Sequence, residues 1–77
     1  MMIMTSDTKV LNVDFLVSFV SRELTRGAVV IAYDTDNFEY QLSKQSNLKM
    51  AEKEIADFFE AYRKGEPTFS FQDCRER

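Results

Sequence analysis

The run AVVIAY, residues 28–33, constrains this chain more than any other stretch. It is continuous, apolar and rich in β-branched residues, so it reads as a strand covered on both faces. A chain of 77 residues can cover such a strand only at the centre of a single core. One domain of that length buries about 60–65% of its unfolded surface, which leaves a narrow stability margin. Every other element must therefore be arranged around residues 28–33.

The next segment, FEYQLS at 38–43, alternates. Phe38, Tyr40 and Leu42 point one way and Glu39 and Gln41 the other, as in a strand with one wet face. Between the two lies DTDN, and Asp and Asn tolerate left-handed backbone and bond to it locally. A β-hairpin follows from that order.

Residues 47–64 carry the clearest helical pattern. Leu48, Ala51, Ile55, Phe58, Phe59 and Tyr62 fall on one arc. Lys49, Lys53, Asp57, Glu60 and Lys64 occupy the opposite face, with Lys53–Asp57 and Glu60–Lys64 at i,i+4 spacing. Ser46 or Asn47 serves as the N-cap, and Gly65 followed by Pro67 ends the helix.

A second helix is expected over residues 13–26. Asn12 suits its N-cap, and Asp14 suits the first turn. Val13, Leu16, Val17, Val20 and Leu24 recur at helical spacing, and Gly27 stands where a helix would stop. A strand competes here, because Val13, Phe15, Val17 and Phe19 also alternate. The continuation SRELTRG favours the helix.

TFSFQ, residues 68–72, alternates once more and reads as a third strand. Met2, Ile3 and Met4 suit a short strand or an arm on a neighbour, and residues 73–77 read as a charged, frayed tail. The expected order is α-β-β-α-β in a single domain spanning 1–77. Its three-stranded, antiparallel-containing sheet has strand order 2-1-3 with residues 28–33 in the middle. Both helices lie on one face, giving a small two-layer α+β domain.

The residues present exclude much chemistry. The chain has no histidine, so the commonest general base and the Ser-His-Asp triad are absent. Its one cysteine, Cys74, cannot form an internal disulfide or build a zinc site, and it fits a reducing, cytoplasmic setting. The two glycines, Gly27 and Gly65, stand at predicted helix ends, so no phosphate-cradling loop is present. Read as a calcium loop from Asp34, the chain fits at the third position with Asp36. It then fails at the fifth with Phe38, the sixth with Glu39 and the twelfth with Gln45. The carboxylates of residues 47–64 interleave with lysines, as on a solvated face. No metal, cofactor or catalytic residue is expected.

A net charge of −3 and a pI near 4.8 disfavour nucleic acid, which needs a basic face. No apolar run approaches the ~18 residues of a membrane helix. Binding to protein is what remains. Asp34, Asp36 and Glu39 form an acidic hairpin tip suited to a basic partner surface. Phe15 and Phe19, four apart on the expected helix, would lie off its buried stripe and be offered to a partner. Met50 is a weaker hint of the same kind. The sequence thus points to a non-enzymatic protein-binding module or inhibitor acting on a larger protein. Small accessory proteins of phages and mobile elements share this size and composition. A self-associating homodimer, through Phe15 and Phe19 or through the edge of FEYQLS (38–43) or TFSFQ (68–72), is the alternative, and a weak nucleic-acid binder is a further one.

Overall fold

The computed structural model describes residues 1–74. In chain order its elements are β1 (Met2–Met4), β2 (Val10–Asn12), a 3-10 turn (Val13–Phe15), β3 (Leu16–Glu23), β4 (Ala28–Asp34), β5 (Glu39–Gln45), α1 (Leu48–Arg63) and β6 (Thr68–Ser70). The domain is α+β, with six strands in two three-stranded sheets and one α-helix.

The larger sheet has the order β3-β4-β5 and is antiparallel throughout. β4 is its centre, as the AVVIAY run requires, and residues 28–32 are all buried. Ala28, Val30 and Ala32 face α1, while Val29 and Ile31 face the other way. On that second face the register flanks Val29 with Arg22 and Lys44, and Ile31 with Val20 and Gln41. The long side chains of Arg22, Lys44 and Gln41, together with Val20, flank β4 on the face that no helix covers.

The helix expected over 13–26 does not form. Asn12 does cap, its Oδ1 accepting the Asp14 N–H at 3.0 Å, but the cap opens only the three-residue 3-10 turn. The chain then extends into β3, where Val17, Phe19 and Val20 keep the side-chain freedom that a helix removes from β-branched and aromatic residues. Gly27 adopts φ +82°, as a helix terminator would. It closes the β3–β4 hairpin instead, accepting the Leu24 N–H at 3.0 Å.

α1 follows the sequence closely. Asn47 Oδ1 accepts the Met50 N–H at 2.9 Å. At the other end Gly65 has φ +79°. Its N–H reaches the Tyr62 carbonyl, and the Glu66 N–H reaches that of Ala61, the paired bonds of a Schellman stop. The helix buries Ala51 and Phe58 against the sheet. Phe58 is the hub of an aromatic cluster, with ring centroids 4.5 Å from Phe19, 5.5 Å from Phe71 and 5.6 Å from Phe69.

The strand after the helix departs from the 2-1-3 order. β6 does not join β4. It pairs in parallel with β1, Met2 opposite Thr68, and β2 pairs with the other side of β1, giving the order β2-β1-β6. Ile3, Leu11 and Phe69 stand in register, with Ile3 buried and the other two packed on the core. This second sheet abuts the outer edge of β5. The Ser6 N–H bonds the Leu42 carbonyl at 2.8 Å, the Cys74 N–H bonds the Lys44 carbonyl at 2.9 Å, and the Lys44 N–H bonds Asp73 Oδ1 at 2.7 Å. Asp73 and Cys74 of the expected tail are thus tied to β5, while residues 75–77 lie outside the described residues. No helix among the described residues is long and apolar enough to cross a membrane.

Candidate functional site

The β4–β5 hairpin ends in a tip built by one carboxylate. Asp34 Oδ1 accepts the N–H groups of Asp36 and Phe38, each at 2.9 Å, and Oδ2 accepts the Tyr40 hydroxyl at 3.0 Å. The Asp34 carbonyl takes the Asn37 N–H at 2.9 Å. Asn37 sits at φ +67°, a left-handed conformation that Asn accepts at low cost. Donation by Phe38 above all, then by Tyr40 and Asp36, holds the Asp34 carboxyl below its ordinary range, because all three bonds favour the charged form. The bond to Asp34 pushes the Tyr40 hydroxyl the opposite way, upward.

Beside the tip, the 3-10 turn lifts Phe15 out of the core. Its ring is 66% exposed. A groove of about 330 Å³ runs between the two, lined by Val10, Phe15, Leu16, Asp34, Asp36 and Tyr40 among others. Phe38, also exposed, packs edge-on against Tyr40 at 5.0 Å. The arrangement sets an exposed carboxylate, Asp36, among aromatic rings and the exposed Val10.

Three of the sequence-predicted residues, Phe15, Asp34 and Asp36, therefore share one groove. Asp34 has a structural task there, and Asp36 is the outward carboxylate. The other two lie elsewhere. Phe19 turns into the core against Phe58 and Phe71, because β3 directs it to the helix side. Glu39 faces the opposite side of the sheet. It meets Arg22 at 3.3 Å, and Arg22 also donates to the Tyr33 hydroxyl at 2.8 Å. This half-exposed pair contributes little to stability.

Val10, Phe38 and Tyr40 complete the site and were not singled out as binding residues. Phe38 and Tyr40 looked like the apolar side of one strand. Phe38 in fact belongs to the turn, since β5 begins at Glu39. Its place directly after DTDN is the signal that could have revealed it.

A second, larger groove of about 570 Å³ lies between the start of β3 and the C-terminal half of α1. Leu16, Val17, Phe19, Phe58, Phe59 and Tyr62 are among its lining residues. Cys74 is half-buried, with its sulfur accepting from the Ser46 hydroxyl at 3.1 Å and lying 3.9 Å from Met50 Sδ. Among the described residues no group of three His, Cys, Asp or Glu side chains is placed to hold a metal ion. No protein-family model, curated protein or solved structure matches this chain.

Proposed function

We propose that the chain is a non-enzymatic protein-binding module whose hairpin tip engages a basic segment of a larger protein. One observation carries this reading: Phe15, Asp36 and Tyr40 converge on a single groove with Val10 at its rim. A lysine or arginine side chain has an apolar stem and a cationic end. The stem suits Val10 and the aromatic faces, the rings attract the cation, and Asp36 completes the charge match. The net charge of −3 assists encounter with a basic surface. Occupying such a surface is how a small adaptor or inhibitor of the phage-accessory kind would act. Binding rather than turnover is the reading, because the hydroxyl–carboxylate pair in the groove, Tyr40 with Asp34, is engaged in holding the tip in shape.

The test is capture from nuclease-treated lysate of the source cell by the tagged chain and by two variants, Phe15→Ala and Asp36→Lys. Both changes fall on exposed side chains, and Asp34 is left intact so that the tip keeps its shape. One stoichiometric protein bound by the native chain, released by raised salt and lost from both variants is expected. Capture that is indifferent to both substitutions, or no partner at all, overturns the proposal.

A further inference from the structure

We infer that β3 pairs with β3 of a second copy about a two-fold axis, joining two three-stranded sheets into one of six strands with both helices on the same side. The strand margin is a different surface from the hairpin groove, although the carboxylates Asp34 and Asp36 lie near both. It begins from the unequal edges of the larger sheet. The outer edge of β5 is covered by bonds involving Ser6, Asp73 and Cys74. Among the described residues nothing bonds the outer edge of β3, the sheet's other margin and, at eight residues, its longest strand.

Proteins blunt such an edge with lysine, proline, bulges or very short strands. Residues 16–24 contain neither lysine nor proline. Their single bulge lies between Leu16 and Ser18, at one end, so residues 18–23 pair regularly with β4 and keep a straight outer margin. Arg22, the one basic side chain of the strand, is drawn over the sheet face to Glu39 and Tyr33. Val20 and Leu24 remain exposed beside the margin.

Charge identifies the occupant as a second copy. One end of β3 lies beside three carboxylates: Asp14 precedes the strand, Asp34 is in register with Leu16, and Asp36 follows at the tip. The other end carries Arg26 and Glu23, with Arg22 already paired to Glu39. Antiparallel pairing of two identical strands sets the acidic end of each copy against Arg26 of the other, twice by symmetry. Parallel pairing would set the three carboxylates against their counterparts.

Geometry then narrows the register. Residues directly opposite in an antiparallel pair point to the same face. A two-fold that keeps both helices on one face must therefore match residues of like parity, so the axis passes through a residue. Full use of residues 18–23 places it at Val20 or Ser21. In the first register Val20 faces Val20, and in the second it faces Arg22.

Val20→Lys tests both registers, because each then opposes two positive charges. The native chain is expected to double in mass with rising concentration in analytical ultracentrifugation, with a dissociation constant of about 10–100 µM for so small an interface. Val20→Lys is expected to weaken association by about tenfold or more. Asp14→Arg alone and Arg26→Asp alone each weaken it about two- to fivefold, and the double variant restores it. Hydrogen exchange on the native chain supplies a readout that needs no variant: the outward-facing amides among residues 18–23, every second one, should gain protection as concentration rises. A monomer at every concentration, a dimer unmoved by Val20→Lys in a folded chain, or concentration-dependent protection elsewhere than β3 overturns the inference.

Discussion

Glu54 on α1 and Ser43 on β5 meet across the helix–sheet interface, the serine hydroxyl donating to Glu54 Oε1. The same oxygen accepts Gln45 Nε2 at 2.9 Å, and Oε2 accepts the backbone N–H of Gln72 at 2.9 Å. One carboxylate thus holds the helix, the second strand of the hairpin and the segment after β6. Ser43 is fully buried. Glu54→Ala should therefore cost about 1–3 kcal/mol, the desolvation of groups left with fewer partners. Urea titration followed by circular dichroism measures it, and an unchanged midpoint would show that the three donors find other acceptors.

Phe58 and Phe59 are neighbours in sequence and belong to the same apolar arc, yet they should behave oppositely. Phe58 is buried among four rings, whereas Phe59 is 60% exposed. Phe58→Ala should cost about 3–5 kcal/mol, enough to unfold a domain of this size. Phe59→Ala should stay within about 0.5 kcal/mol. Thermal melts of the two variants side by side give the comparison.

The two glycines make a matched pair. Both have positive φ, but a Cβ on Gly27 would lie 2.5 Å from the Gln45 carbonyl oxygen, while one on Gly65 meets nothing within 4 Å. Gly65→Ala should cost about 1 kcal/mol, the backbone penalty alone. Gly27→Ala adds a collision with main chain and should cost about 2–4 kcal/mol. Equal melting temperatures for the two variants would contradict the steric account.

The tip should respond to pH at both extremes. The folded pKa of Asp34 lies below its ordinary 3.8. The stability it contributes is therefore present above about pH 4 and is lost as pH falls through the depressed value. The folded pKa of Tyr40 lies above its ordinary 10.0. Its contribution is present below pH 10 and is lost as pH rises through the raised value. The amide resonances of Asp36 and Phe38, followed by NMR across an acid titration, should move with Asp34 and not with the bulk carboxylates. Asp34→Asn should abolish that movement.

The punctuation of the fold was legible in the sequence. Asn12 caps, Asn47 caps, DTDN turns, and Gly27 and Gly65 take positive φ. The element between Asn12 and Gly27 was not, and the bulge explains why. An extra residue at 16–18 stretches the strand's spacing of two. The core-facing residues become Val13, Leu16 and Phe19, so Val13 and Leu16 fall at helical spacing, and the exposed Val17, Val20 and Leu24 extend the same pattern without sharing a buried face. The partner of β6 was hidden for a different reason. Three-residue strands such as β1 and β2 show too little alternation to compete with a central apolar strand for the final one. In the groove, Asp36 and Phe15 could be nominated from composition and spacing. Their meeting depends on the 3-10 turn beside β4, which only the tertiary arrangement sets.

The pairing of Met2 with Thr68 has a consequence for how the protein comes into being. β1 leaves the ribosome well before β6, since more than 60 residues separate Met4 from Thr68. The smaller sheet cannot close until synthesis has passed residue 70, and a contact so distant along the chain forms slowly. A polypeptide cut short before that point would leave Ile3 and Phe58 without the cover of Phe69 and Phe71. The later strand therefore completes the cover over a residue that emerged long before it.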